Sequence, residues 1–322
     1  MSDRLVYFNG EYVPEREARV SIFDSALMFG DMAFEMTRTF AGRPFCLRDH
    51  LDRLYMSLRL LEIDCGLSID QMEQATLDTL ARNAPTEAAD VDWQIMHDVS
   101  RGPLPGYATV FAESLRPTVS INCWPLLPML GRFAATYEQG MSVVIPVQQA
   151  VPAHLIDPKA KTRSRQHYQM AILQAARMGA GSQPLMTDGD GYLAEGPGWN
   201  FFIVKDGALL TSEPRNILLG VSRKVTMQFA RELGLEVHET NLGRYEGLEA
   251  DEMFITSTPF CLVHAASFEG RNFGDGRPGP VFRRLTEAWK KHVGLDFVAQ
   301  AASYTGRVEA WEQEQTGASV AG

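Results

Sequence analysis

The sequence has little cysteine, and what it has is dispersed: Cys46, Cys65, Cys123 and Cys261 stand far apart and never in Cys-x-x-Cys spacing. A chain of 322 residues can bury a core without covalent staples, so reduced thiols in a cytoplasm are expected, with neither a disulfide nor a zinc site. The seven histidines show no paired ligand spacing, which argues against a metal centre. No apolar run approaches membrane length, and the start, Met1-Ser-Asp-Arg-Leu-Val-Tyr-Phe8, lacks the apolar core of a signal peptide. The expectation is a soluble, untargeted, cytoplasmic protein. Positive charge is also scarce: 30 Lys and Arg face 40 Asp and Glu, a formal net charge of -10. With no basic run interleaved with aromatics, a nucleic-acid partner is excluded and a small-molecule partner favoured. Internal repeats and low-complexity tracts are missing too.

What is present is a hydrophobic fraction of 45%, enough for a sizeable core, in a chain long enough for two domains. Leu5-Val-Tyr-Phe8, Asn9-Gly10 and Glu11-Tyr-Val13 predict a hairpin, because Asn-Gly suits a tight turn with left-handed dihedrals. Arg19-Val-Ser-Ile-Phe23 is a further apolar segment, and Phe34 to Phe40 reads as a strand. Leu47, Leu51, Leu54, Leu58 and Leu61 then recur on one face of an amphipathic helix that also carries Arg53. Ser68 and Gln71 spell a capping box for the next helix. Strand-like segments follow at 91–96 and 118–123. Pro125, Pro128 and Gly131 interrupt the pattern, which predicts a small α/β domain over 1–125, a linker over 126–139 and a larger mixed, β-barrel-like domain over 140–310. Residues 311–322, polar and small, are expected to form a disordered tail. Strands and helices mix without strict βαβ alternation, so the class is α+β. Gly274-Asp-Gly-Arg-Pro-Gly279 spells a dinucleotide-binding glycine pattern, but no convincing strand leads into it, and it reads as a surface turn.

One stretch organises the rest: His154-Leu-Ile-Asp-Pro-Lys-Ala-Lys-Thr-Arg-Ser-Arg-Gln-His-Tyr168. Lys161 lies just ahead of a helical pattern in which Tyr168, Ile172, Ala175 and Ala176 recur, a fixed position for an amine. Read alone, Lys159, Lys161, Arg163 and Arg165 are equally a solvated basic edge. Further along stand Ala194-Glu-Gly-Pro-Gly-Trp-Asn200, Leu219-Gly-Val-Ser-Arg223 and Asp251-Glu-Met-Phe-Ile-Thr-Ser-Thr258. Earlier come Ser21 to Glu35 and Leu47-Arg-Asp-His-Leu-Asp-Arg-Leu54.

These six stretches, in this order, resemble the fold-type IV, pyridoxal-phosphate-dependent (class IV) aminotransferases: the branched-chain, D-amino-acid and R-amine transaminases and aminodeoxychorismate lyase. The resemblance runs from about Tyr7 to about Tyr304. It implies pyridoxal 5'-phosphate as cofactor, an amino donor and a keto-acid acceptor as substrates, and a homodimer with active sites near the subunit interface. Lys161 resembles the lysine that links to the cofactor and carries the proton, with Lys159 as its rival and Arg163 as a neighbouring cation. Glu195 resembles the carboxylate that pairs with the ring nitrogen, with Asn200 bracing its loop. Arg53, the helix start at Val221 and Ser222, and Thr258 would hold the phosphate. Tyr168 would approach the phenolic oxygen, although its spacing from Lys161 differs from the branched-chain enzymes and a core tyrosine is an equal reading.

The substrate side is less determined. Phe34, Glu35 and Arg38 resemble the amino-acid-specific members; Arg38 would anchor a carboxylate, or else pair with Asp31 or Glu35. Phe29 stands where the branched-chain enzymes have tyrosine. Gly106 and Ala108 replace the arginine and histidine of the D-amino-acid transaminases, leaving Arg101 as a substitute. Pro259 follows Thr258 where the branched-chain enzymes use a backbone N–H, which proline lacks. The function implied is transamination between an amino acid or primary amine and a 2-keto acid. The alternatives are a lyase of the aminodeoxychorismate type and a non-catalytic paralogue.

Overall fold

The computed structural model describes residues 4–107 and 115–320, with side chains as far as 315. The chain divides into two compact units. The first holds Met1–Gly131, Ala160–Ser164 and Tyr304–Gly322; the second holds Arg132–Lys159 and Arg165–Ser303.

In the first unit, β1 (Leu5–Phe8) and β2 (Glu11–Pro14) form the expected hairpin, turning at Asn9 and Gly10 with φ of 51° and 100°. The apolar segment 19–23 forms no strand, and Val20 and Ile22 are exposed. A one-turn α1 (Ser25–Phe29) leads into β3 (Met32–Phe40), β4 (Arg43–Pro44), α2 (Leu47–Leu60) and α3 (Ile69–Asn83). The capping box is present: the Gln71 amide N–H reaches Ser68 Oγ at 3.2 Å, and Ser68 N–H reaches Gln71 Oε1 at 2.8 Å. With β5 (Trp93–Ser100) and β6 (Thr118–Pro125) the strands form an antiparallel sheet in the order β2-β1-β6-β5-β3-β4. Leu51, Leu54 and Leu58 of α2 and Met72 and Leu80 of α3 cover it, packing on Ile95, Val99 and Ile121. The helical stripe and the alternating strand faces thus bury one shared core.

Residues 126–139, expected to link two domains, contain the boundary between the units but are helical rather than irregular. They carry α4 (Leu127–Gln139), which runs through the unit boundary at Gly131. Pro128 falls in the first helical turn, where the missing N–H costs no hydrogen bond. Gly131 is there for closeness: a Cβ would come 2.5 Å from Val308 Cγ2 and 3.0 Å from Tyr304 O.

The second unit is a mixed sheet flanked by helices. Its elements are β7 (Met141–Val144), α5 (Gln166–Met178), β8 (Gln183–Pro184), β9 (Asn200–Lys205), β10 (Ala208–Ser212), α6 (Val221–Glu232), β11 (Val237–Thr240), α7 (Arg244–Glu249), β12 (Glu252–Ser257), β13 (Cys261–Phe268), β14 (Arg271–Asn272), α8 (Pro280–Val293) and α9 (Phe297–Thr305). The sheet order is β11-β10-β9-β12-β13-β7-β8, with β14 on β13. Its centre is antiparallel, whereas β10–β11, β13–β7 and β7–β8 are parallel. Gly274 to Gly279 is the turn between β14 and α8.

The chain returns to the first unit at Tyr304, and α10 (Val308–Val320) occupies the stretch expected to be a disordered tail. The start of the helix is tied down: Val308 is buried, Arg307 just before it pairs with Asp90 at 2.6 Å, and the Trp311 indole donates to Glu87 at 3.1 Å. Gly131→Val should therefore cost about 1–3 kcal/mol by overpacking against this C-terminal segment; chemical denaturation with unchanged stability would show that the close approach is dispensable.

Candidate active site

Lys161 belongs to the first unit because its backbone adds to the edge of β3. Phe34 N–H donates to Lys161 C=O at 2.9 Å, Arg163 N–H donates to Met32 C=O at 2.9 Å, and Thr162 bridges Ala33. Lys161 N–H donates to Ser57 Oγ on α2 at 3.0 Å. The lysine is 8% exposed, and its Nζ stands 4.6 Å from the centre of the Phe34 ring, on which the Arg163 guanidinium also lies at 3.9 Å. Arg163 is itself paired with Asp98 at 2.8 Å, so its charge is largely spent there. The rival Lys159 is in the second unit and partly exposed, its Nζ 3.6 Å from Asp157 and 3.3 Å from the Arg215 carbonyl.

Behind this segment lies a buried charge network. Arg53 donates Nε to Glu35 Oε2 at 2.9 Å and Nη2 to Oε1 at 2.6 Å, and His50 Nδ1 sits 3.0 Å from Oε1. Met36 N–H donates to the same Oε1 at 2.9 Å. Burial alone would push the Glu35 carboxyl up, but the Arg53 guanidinium, helped by His50, holds it well below the usual carboxylate range. Burial lowers His50, against the pull of Glu35. It also pushes His97, opposite Glu35 on β5, down to about 4. Thr76 Oγ1 donates to Met72 C=O at 2.6 Å, so its 2.8 Å contact with His97 requires the ring to donate from Nε2.

In the second unit, Glu195 is 4% exposed on a loop in which Gly196 is sterically required. A Cβ on Gly196 would lie 2.0 Å from the Trp199 ring, and one on Gly220 would lie 2.2 Å from Asn200 Oδ1. Three donors meet the carboxylate: the Asn200 amide at 3.1 Å and Leu218 N–H at 3.0 Å on Oε2, and the Tyr168 hydroxyl at 2.6 Å on Oε1. Gly220 is the N-cap of α6, with no side chain capping the helix start. Ser222 Oγ of that first turn lies 3.5 Å from Thr258 Oγ1, where β12 turns toward β13. A helix start with two hydroxyls beside it suits a phosphate, and a fixed carboxylate suits a protonated pyridine nitrogen. Each unit therefore offers groups that pyridoxal phosphate needs. Among the described residues no group of three or more His, Cys, Asp or Glu side chains is placed to hold a metal ion.

The class IV amino-transferase family model matches residues 32–268, most of the chain and every one of these groups. The chain belongs to the class IV aminotransferases. It is a pyridoxal-phosphate-dependent enzyme that moves an amino group between an amino compound and a 2-keto acid. It is 31% identical over 291 residues to the branched-chain-amino-acid aminotransferase of Escherichia coli K12, covering 88% of this chain and 91% of that one. With the Pseudomonas aeruginosa enzyme of the same name it shares 30% over 295 residues, 90% and 93% of the two chains. The fold matches the E. coli branched-chain enzyme with a TM-score of 0.77 at 29% identity, over 90% of this chain and 94% of that one. It matches the T.th. branched-chain amino acid aminotransferase solved with pyridoxamine 5'-phosphate with a TM-score of 0.79 at 27% identity, over 95% and 98%.

Within this aminotransferase several expected substrate contacts are corrected. Glu35 is fully buried, and both its oxygens are taken by protein donors, Arg53 foremost. Arg38 is fully buried as well: its Nε donates to Thr39 C=O, Nη2 lies 3.6 Å from Asp92, and the guanidinium stacks 4.1 Å over Phe40. It braces the β3–β4 turn, with Asp92 as an ion-pair partner. Arg101 spends its donors on Asp31 at 2.8 Å and on the Leu61 and Glu62 carbonyls at the end of α2. Phe29 is 65% exposed at the end of α1, and Pro259 sits in the β12–β13 turn after Thr258. Gly106 lies in a short 3-10 turn; Ala108 lies outside the described residues. Sequence reasoning missed His50, His97 and the Leu218 N–H; only the His50–Arg53 helical spacing, which puts both on one face of α2, hinted at the first.

Acid should expose the buried network. An unfolded histidine titrates near 6.5 and His97 at about 4, so its contribution is whole above pH 6.5 and is lost between pH 6.5 and 4; the loss is about 3 kcal/mol. The depressed Glu35 acts in the same direction, but only below the usual carboxylate range. Urea unfolding at pH 7, 5 and 4 should show this decline, and His97→Gln should flatten it; a slope equal to wild type in the variant contradicts the assignment.

Proposed function

We propose that this aminotransferase takes branched-chain amino acids as donors and binds its cofactor through Lys161. Pyridoxal phosphate, when bound, supplies a carbonyl that captures amines and a ring that accepts the electrons released when a substrate proton leaves. Lys161 would hold the cofactor through its amine, and that amine would serve as the base that moves the substrate proton. Glu195 keeps the ring nitrogen charged. In the second unit Val221 and Ser222 at the start of α6, with the Thr258 hydroxyl, would take the phosphate; the family resemblance gives Arg53 of the first unit the same role, and Glu35 holds Arg53 in place. The observation that carries the reading is Lys161 itself, a nearly buried lysine fixed by its backbone beside an aromatic ring. The named relatives at 30–31% identity support branched-chain donors. The same relatives favour transfer over the lyase alternative.

The purified protein with cofactor should be yellow, and L-leucine, L-isoleucine or L-valine should bleach the visible band. Lys161→Ala should bind cofactor without that band and lose turnover by several orders of magnitude, about 10⁴-fold or more. Bleaching by D-amino acids or R-amines alone would overturn the donor assignment; a colourless wild type would overturn the cofactor role.

A homodimer is the assembly we infer. Ile22 and Leu27 in the first unit, and Leu155, Ile172, Leu173 and Met178 in the second, expose large apolar side chains, which on soluble proteins mark interfaces. With a subunit of 35.8 kDa, light scattering should give about 72 kDa; a mass of one subunit at micromolar concentration would contradict the dimer.

A further inference from the structure

Tyr168 stands in the first turn of α5, and its ring packs on the buried cluster of Ala150, Ala171, Met186, Ala194 and Ile217. Its hydroxyl donates to Glu195 Oε1 at 2.6 Å, a short contact of the kind made to an ionised oxygen. A phenol has one proton. With that proton on Glu195, Tyr168 has none to donate to the phenolic oxygen of a cofactor, the contact its position in the chain suggested. Burial and the neighbouring Glu195 raise the phenol well above its ordinary value, so it stays a donor at any working pH.

The other two donors, the Asn200 amide and Leu218 N–H, both fall on Oε2. They locate that oxygen. The Tyr168 hydroxyl meets the second oxygen and comes from a different element, helix α5. Two oxygens held from two directions fix the plane, and with it the direction in which the carboxylate presents itself to a ring nitrogen.

We propose that Tyr168 is a positioning residue that acts on the cofactor through Glu195, setting the orientation of that carboxylate by donating to Oε1. This rests on the reading of Glu195 as the ring-nitrogen partner. The test is a double-mutant cycle on the full-length apo-protein, titrated with pyridoxal 5'-phosphate and followed by fluorescence and by the visible band across pH. Tyr168→Phe keeps the packed ring and should weaken cofactor binding about tenfold. In a Glu195→Ala background the same change should alter binding by no more than about twofold. The pH at which the visible band changes should move with Tyr168→Phe only when Glu195 is present. Far-UV circular dichroism checks folding, and Glu195→Gln serves as the background if Glu195→Ala does not fold, with the Tyr168→Phe loss expected to shrink. A tenfold loss that persists unchanged without the carboxylate would show Tyr168 touching the cofactor directly and overturn the inference. No loss with Glu195 present would overturn it as well. If Glu195→Ala itself binds cofactor as wild type does, the reading of Glu195 fails, a result separate from either outcome for Tyr168.

Discussion

Everything proposed for the amine depends on five residues, Ala160–Ser164, joining the edge of β3. The segment leaves the second unit, lays Lys161 and Arg163 along Met32 and Phe34 through backbone hydrogen bonds, and returns. Each such bond contributes about 0.5–1.5 kcal/mol net, modest singly, but together they fix the direction of one side chain. Lys159, two residues earlier, has no such constraint and rests on an aspartate at the surface. Strand pairing decides which lysine is held, because Lys161 lies inside the paired segment and Lys159 lies before it.

Around that fixed amine, charges are held by other charges. Glu35 orients Arg53 from behind, and its cost of burial is offset by a two-point contact with the guanidinium and by the His50 ring. Arg38 and Asp92 do the equivalent work at the β3–β4 turn. In the second unit Asn200, Leu218 and Tyr168 hold Glu195. The same device recurs: the residue that would touch the cofactor is aimed by a partner that would not.

Much of the scaffold was legible because it rests on local rules. Asn9-Gly10, the leucine stripe of α2 and the Ser68–Gln71 box are recognisable without knowing what they pack against. The loop around Glu195 was legible as a motif too, since Gly196 is forced by Trp199, three residues on. What failed was non-local. Pro128 and Gly131 read as breaks until Tyr304 and Val308 arrive from the far end of the chain. The strand β13 was not foreseen, because Cys261 to Phe268 is a nearly continuous apolar run without alternation. Glu35 and Arg38 read as substrate contacts because a charged residue in a strand does not reveal its partner, and here the partners are 18 and 54 positions away in Arg53 and Asp92.

The central claim is that Lys161 and no other amine carries the cofactor. The most direct measurement is borohydride reduction of the cofactor-loaded enzyme, followed by proteolysis and mass spectrometry of the labelled peptide. The account predicts a single phosphopyridoxyl group on Lys161. The group on Lys159 instead, or no stable label on either lysine, would contradict it.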